Sequence, residues 1–187
     1  MLRLETERLI LRHFEPADVE ACHAYGSDPE VTRFTSFGPN SEEETVGFVE
    51  RAVRGAAQAE ATSLVDHLAA HSLDWAITLR GDGRLIGGCG ILPGRPGGDE
   101  YELGYVLHRA HRRRGYGREA VRALRDLAFD RLAARRVFAR IFPANVGSIA
   151  LIESLGFVRE EVRRRAFFVR GAWEDAAVYA RLAEDPR

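Results

Sequence analysis

The spacing of apolar positions changes several times along this chain, and each change predicts an element. Leu9 to Phe14 reads as a short strand, and Pro16 then opens a helix through Val19 and Ala21 that ends near Gly26, stopped by Ser27, Asp28 and Pro29. Ser41 begins Ser-Glu-Glu-Glu, a capping box in which Ser41 and Glu44 serve each other's amides, and a helix follows through Val46, Val49 and Val53. The Ala-rich stretch 55–72, with Leu64, Val65 and Leu68, predicts a continuation of that helix or a second short one. Trp75–Leu79 and Leu85–Leu92 are strand-like runs, and Arg80, Gly81, Asp82, Gly83 and Arg84 between them make a hairpin.

The second half alternates strand and helix. Pro93–Asp99 is a loop, Tyr101–Leu107 a strand, and after an Arg- and Gly-rich turn a helix runs to about Ala133 with Val121, Leu124, Ala128 and Leu132 on one face. Val137–Phe142 is a strand, and Asn145–Leu155 a helix closed by Gly156. Phe157–Arg164 and Phe167–Tyr179 supply two last strands around a turn at Arg170 and Gly171. An antiparallel first half followed by βαβα units predicts an α/β (α+β) class with a mixed sheet.

Composition narrows the function classes. With 187 residues, 45% hydrophobic and 29% charged, residues 1–187 suit a single domain with a real core. A net charge of −1 gives no global field to recruit nucleic acid or an anionic membrane. All 27 basic residues are Arg, a bias best assigned to genome composition. Cys22 and Cys89 stand alone, without the spacing of a disulfide framework or zinc knuckle, which fits a reducing cytoplasm. The charged N-terminus carries no signal-peptide core and no apolar run could span a bilayer, so the expectation is a cytoplasmic protein with no membrane partner.

The chemically informative stretch runs from Glu102 to Ala120: a strand, a turn holding Gly115 and Gly117, then a long helix. The first amides of a helix lack intrahelical acceptors and the dipole there is positive, so a pyrophosphate can be held by several amides at once. Arg112, Arg113 and Arg114 add charged donors, and Gly115 and Gly117 let an anion approach the backbone. A solvated Arg-rich turn is the bland alternative. A Walker A loop is excluded by the absence of Lys, and dinucleotide binding is disfavoured because Val137–Phe142 ends in Pro143 with no acidic partner.

Arg112, Gly115 and Gly117 match the (Gln/Arg)-x-x-Gly-x-(Gly/Ala) signature, and on these residues the chain resembles the GNAT superfamily of acetyltransferases. Leu4–Arg12, Glu102–Leu107, Glu119-Ala120, Asn145-x-x-Ser148, Leu155-Gly156-Phe157 and Gly171–Leu182 are similar to its RimJ/RimL branch, in order and over nearly the whole chain. The resemblance implies a mostly antiparallel central sheet of about seven strands, flanked by helices, whose fourth and fifth strands splay around acetyl-CoA. It implies that Val106 and Leu107 contact the pantetheine and that the amides of Arg112, Arg113, Arg114, Gly115, Tyr116 and Gly117 take the pyrophosphate. It implies transfer of an acetyl group to a primary amine, a protein N-terminal α-amine or a small-molecule amine, by direct attack in a ternary complex, with no metal. The amine would enter opposite the CoA, between segments 31–39, 55–72 and 167–173. Family habit allows a homodimer.

For proton chemistry the resemblance offers Glu102 as general base, against the alternative that Glu102 faces solvent or pairs with an Arg. Ile152 stands where many members carry a Tyr that serves the leaving thiolate, and Ser148 with Asn145 matches the element used instead. Asn145 is also a favoured helix cap, and both roles are compatible. Arg113 departs from the branch, which usually has Gly there. A non-catalytic acyl-CoA sensor is a second reading. An RNA-binding use of the Arg cluster is a third, disfavoured by the net charge. His67 with His71 and His108 with His111 are expected to be ordinary histidines, and Trp75, Trp173 and Tyr105 core or cleft residues.

Overall fold

Leu9 and Leu11 are fully buried while Ile10 and Arg12 between and beside them are half-buried, the alternation of a strand with one face in a core. The computed structural model describes residues 2–95 and 98–186, so Pro96 and Gly97 of the expected Pro93–Asp99 loop lie outside the described residues. Its strands are β1 (Leu4–Glu5), β2 (Leu9–Arg12), β3 (Leu73–Leu79), β4 (Leu85–Pro93), β5 (Glu100–Leu107), β6 (Arg136–Ile141), β7 (Val158–Val169) and β8 (Ala172–Leu182). They form one sheet in the order β1-β2-β3-β4-β5-β6-β8-β7. The eighth strand, beyond the seven expected, is β1. Leu4 and Glu5 fold back on Leu11 and Ile10 because Thr6 closes a turn, its amide reaching the Leu9 carbonyl at 3.0 Å and its hydroxyl accepting the Leu9 amide at 3.0 Å. The first expected strand stops at Arg12 instead of Phe14. Asp18 takes two hydrogen bonds from Arg12 at 2.7 Å each and one from the Glu15 amide at 2.8 Å, turning the chain into a 3-10 turn at Pro16–Asp18.

The sheet is antiparallel except between β5 and β6. That parallel pair is in register only at Glu100↔Arg136, Tyr101↔Val137 and Glu102↔Phe138, after which the strands part. β5 stays paired with β4 as far as Leu107↔Gly87, and β6 with β8 as far as Ile141↔Ala177. The result is a fork between β5 and β6.

Helices cover the two faces. α1 (Val19–Gly26), α2 (Pro29–Thr32), α3 (Glu42–Ala61) and α4 (Leu64–Leu68) precede β3; α5 (Tyr116–Arg131) links β5 to β6, and α6 (Val146–Glu153) links β6 to β7. Both halves of the Ser41–Glu44 capping box are made, at 3.1 and 2.8 Å, and α3 continues to Ala61 before the separate α4. Ala120, Val121, Leu124 and Ala128 of α5 pack with Trp75, Ile77, Tyr101 and Leu103 on one face. Cys22 and Tyr25 of α1 and Val49 and Ala52 of α3 pack with Phe14 and Ala76 on the other. Adjacent residues of β3 thus serve opposite cores, as a period of two requires.

The first turn of α5 is tied to the N-terminal hairpin by Glu119. Its carboxylate accepts Thr6 Oγ1 at 2.5 Å, the Arg8 amide at 2.8 Å and Arg8 Nε at 2.8 Å. Burial opposes its ionisation, but the hydrogen bonds from Thr6 and Arg8 outweigh burial and hold its pKa below the ordinary 4.5. A depressed folded pKa contributes stability above the unfolded value and loses it as pH falls through the folded one. Glu119→Gln is therefore expected to lower stability by about 2 kcal/mol near pH 7, with the gap to wild type closing in acid. Urea unfolding at pH 7 and pH 4 measures this, and a gap that stays constant contradicts it.

Candidate active site

The turn between β5 and α5 is shaped by backbone. Arg113 and Gly115 take positive φ, 62° and 83°, and Gly115 caps α5 in the left-handed conformation. Among the described residues, no protein acceptor takes the amides of Arg113, Arg114, Gly115, Tyr116, Gly117 or Arg118; the series ends with Glu119, whose amide reaches the Gly115 carbonyl at 3.1 Å. Successive amides at the positive end of a sixteen-residue helix make a seat for an anion. The Arg113 and Arg114 side chains are exposed beside it. Beside the turn, the His111 pKa is pushed down first by burial and then by His108 and Arg114.

Arg112 departs from expectation. Its amide is spent on the Arg109 carbonyl at 3.2 Å, and its guanidinium donates to the carbonyls of Leu107 at 3.2 Å, Glu30 at 3.3 Å and Val31 at 3.2 Å. It is a clasp that fastens the turn to β5 and to α2, so the anion seat runs from Arg113 onward. Arg8, missed in the sequence, braces the other side: Nη1 holds the Arg114 carbonyl at 3.0 Å and the guanidinium lies 4.9 Å from the Tyr116 ring. Nothing local to Arg8 signals this, since its partners are more than 100 positions away.

The fork exposes one edge of β5. His108 donates to the Ile86 carbonyl and Glu100 accepts from Gly94, so the even-numbered residues of β5 direct their backbone groups at β4. Leu103, Tyr105 and Leu107 direct theirs into the gap. Of the two expected pantetheine contacts, Leu107 faces the gap, whereas Val106 gives its backbone to β4 and its side chain to the core under α1 and α3. Gly117 lets α5 approach this edge closely, because a Cβ there would lie 3.2 Å from Tyr105 Cε2 and 3.0 Å from Leu151 Cδ1.

On the α5 side of the fork, Asn145 Oδ1 caps α6 by accepting the Ser148 amide at 3.1 Å, and Ser148 Oγ lies 3.0 Å from the Tyr105 hydroxyl. Burial raises the Tyr105 pKa, partly offset by the Ser148 hydrogen bond and the Arg112 charge. Tyr105 thus stays a protonated phenol with a hydroxyl partner. The signal for it was available: Ile152 is buried in the core, so the hydroxyl its position usually supplies must come from elsewhere, and alternation puts Tyr105 on the α5 face with Leu103 and Leu107.

On the opposite face, both Glu102 oxygens accept from Arg140 Nε, at 2.9 and 3.0 Å, and Arg140 Nη2 adds a contact at 2.8 Å. The ion pair alternative for Glu102 is the one the structure holds. Arg140 lies 5.3 Å from the Phe167 ring, Phe167 stacks on Phe142 at 4.9 Å, and Phe142 meets Phe34 at 6.3 Å. Arg170 grips the carbonyls of Thr32 at 3.1 Å and Arg33 at 3.0 Å, joining segments 31–39 and 167–173. Segment 55–72 forms the end of α3 and all of α4, beside β3 and β4. Cys22 and Cys89 are both buried, which pushes the Cys22 thiol up to about 11 and Cys89 further, so neither is a poised thiolate. Among the described residues no cluster of three metal-ligating side chains occurs, and no helix is long and apolar enough to cross a membrane.

A family model described as "Acetyltransferase (GNAT) domain" matches residues 8–158. The "Uncharacterized N-acetyltransferase p20" of Bacillus licheniformis is 29% identical over 190 residues, spanning 99% of this chain and 98% of that protein. The "N-alpha-acetyltransferase RimI" of Mycobacterium tuberculosis is 36% identical over 109 residues, 57% of this chain and 65% of that protein. A GNAT-family acetyltransferase structure from Bacillus anthracis superposes with a TM-score of 0.83 at 27% identity, covering 98% of this chain and 100% of that one.

The left-handed cap makes a prediction about the turn. Gly115→Ala places a Cβ on a φ of 83°, 3.1 Å from Arg8 Nη2, and is expected to cost about 1 to 2 kcal/mol in urea unfolding. A neutral substitution there would mean that the backbone relaxes out of the left-handed region.

Proposed function

Because the chain belongs to the GNAT family of acetyltransferases, we propose that it transfers an acetyl group from acetyl-CoA to a primary amine, a protein N-terminal α-amine or a small-molecule amine, in a RimJ/RimL-like manner in the cytoplasm. The observation that carries the reading is the run of unpaired amides from Arg113 to Arg118, set at the mouth of a fork whose β5 edge is also unpaired. The amides and the Arg113 and Arg114 side chains hold the diphosphate, and the β5 edge at Leu107 and Tyr105 pairs with the pantetheine amides as an added strand would. Acetyl-CoA supplies the acyl group as an activated thioester. A free amide of the same edge, at Leu103 or Tyr105, donates to the thioester carbonyl.

The Ser148–Tyr105 hydroxyl pair protonates the departing sulfur, and Asn145 fixes Ser148 by capping its helix. Direct attack by the amine suits a chain whose two thiols are buried and protonated. The resemblance to the mycobacterial RimI, described by its name as an N-alpha-acetyltransferase, supports an α-amine among the acceptors. An α-amine, with a pKa near ~8 against ~10.4 for an alkylamine, also yields its proton more readily.

The test is thiol release from acetyl-CoA with a panel of amines and N-terminal peptides, alongside calorimetric titration of acetyl-CoA. Ser148→Ala and Tyr105→Phe are each expected to lower kcat by about 10-fold or more while leaving acetyl-CoA affinity within a factor of a few. Tight binding without turnover would favour the acyl-CoA sensor, and no binding would overturn the reading of the Arg113–Arg118 amides.

A further inference from the structure

A second carboxylate lies on the same face of the sheet as Glu102. Asp74 of β3 is in register with Gly90 of β4, and Gly90 with Gly104 of β5, two residues beyond Glu102 where the fork opens. Residues directly opposite in antiparallel strands share a face, so the three positions form one row across the sheet. A Cβ at Gly90 would lie 2.5 Å from Asp74 Oδ1, so the carboxylate leans over Gly90 toward β5. A Cβ at Gly104 would meet nothing within 4 Å. No side chain of this row therefore stands between the Asp74 carboxylate and the fork. On its other side Asp74 borders a cavity of about 130 Å³ between α3 and β3, lined also by Phe48, Arg51 and Ser72.

Glu102 is held by Arg140 through both oxygens, whereas Asp74 makes no hydrogen bond or ion pair among the described residues. We propose that Asp74 is the acceptor-amine site, binding the ammonium group of the incoming primary amine over Gly90 and Gly104 and taking its proton at the fork. This rests on the transferase reading and deepens it. A half-buried carboxylate that lines a cavity and has no cation in ion-pair contact is a site that an ammonium group can complete. Burial pushes its pKa up from 3.8 to about 6, with Arg51 opposing, so it is ionised at neutral pH and a stronger base than an ordinary carboxylate. Tyr25 of α1 faces it from the same side and Cys89 of β4 lies on the opposite face of the sheet; both are raised by burial and neutral from pH 5 to 8.

The step balances as follows. Asp74 accepts one ammonium proton, and the freed lone pair forms the C–N bond at the thioester carbonyl carbon. The C–S bond breaks with its electron pair on sulfur, which takes a proton from the Tyr105–Ser148 pair. The second nitrogen proton passes to water, from which the hydroxyl pair is reprotonated, so one proton is released net, from Asp74, for each amide formed.

The experiment measures kcat/KM from pH 5 to 9 with acetyl-CoA and either ethylamine or an alanine-initiated hexapeptide, for wild type, Asp74→Asn, Glu102→Gln and Gly104→Val. In wild type the acid limb is expected near pH 6, set by Asp74, well below the amine's own pKa. Asp74→Asn is expected to lose about 100-fold at pH 7 and to follow the amine's own titration, with acetyl-CoA affinity by calorimetry unchanged. Gly104→Val, projecting into open space, is expected to raise the amine KM without altering acetyl-CoA affinity. Turnover that survives Asp74→Asn, or an acid limb abolished by Glu102→Gln instead, overturns the role of Asp74 and leaves the transferase reading standing. Acetyl-CoA binding with no turnover of either amine overturns the transferase reading and this proposal with it.

Discussion

The parting of β5 from β6 is the constraint on which the site depends. A sheet interior does not tolerate free amides and carbonyls, yet beyond Glu102↔Phe138 the β5 edge has no strand to pair with. Each strand of the fork is committed to its outer neighbour, β5 to β4 and β6 to β8, for its full length, and strand twist carries the two ladders apart. Packing keeps the gap from closing. Phe142, just past β6, is held by Phe167 and Phe34 on the Glu102 side, and α6 packs on the other face beside Tyr105. The fork is thus imposed by the protein, and an extended ligand with its own amides is the natural occupant.

The two ends of that ligand site are mechanically joined through one short segment. Arg112, from the anion turn, holds the carbonyls of Glu30 and Val31, while Arg170, from the β7–β8 turn, holds those of Thr32, Arg33 and Thr35. Two arginines from opposite sides therefore clamp the run 30–35. Each bond has a charged donor and a neutral acceptor, stronger than a neutral pair, and none leaves the guanidinium buried without partners. Spending Arg112 this way removes it from the anion seat, and the amides from Arg113 onward supply what it does not.

What was legible in the sequence was local. The Ser41–Glu44 box, the Asn145 cap and the Gly115 turn all close within a few residues, and each is found where the residue types put it. The order of elements followed from the apolar spacing and turn residues, the splayed pair from the resemblance, and both are present. The extra strand β1 escaped because a two-residue strand has no periodicity to detect; only the Thr6 side chain defines it. The roles of Arg112, Arg8 and Arg140 escaped for a different reason. An arginine reaches several ångströms in any direction, and its partner is fixed by the fold, so twenty-seven arginines in one chain give no order of merit. Tyr105 was readable in principle from strand alternation combined with the missing Tyr at position 152.

The contrast between Glu102 and Asp74 turns on partners more than on position. Adjacency to the signature favours Glu102, and the sequence offers nothing to weigh against it. Once the sheet is assembled, Arg140 occupies both Glu102 oxygens at the point where the strands divide, so withdrawing that carboxylate to collect a proton would strand a guanidinium against Phe167. Asp74 carries no such obligation: it is half-buried, and Arg51 acts on it without taking its oxygens. Gly90 and Gly104 acquire meaning only through cross-strand register: on neighbouring strands, they come side by side and clear a lane from that carboxylate to the free edge of β5. A carboxylate without an ion-pair partner at the end of such a lane is the arrangement that a cationic substrate would complete, and an ion pair at the mouth is the arrangement that holds the lane in shape.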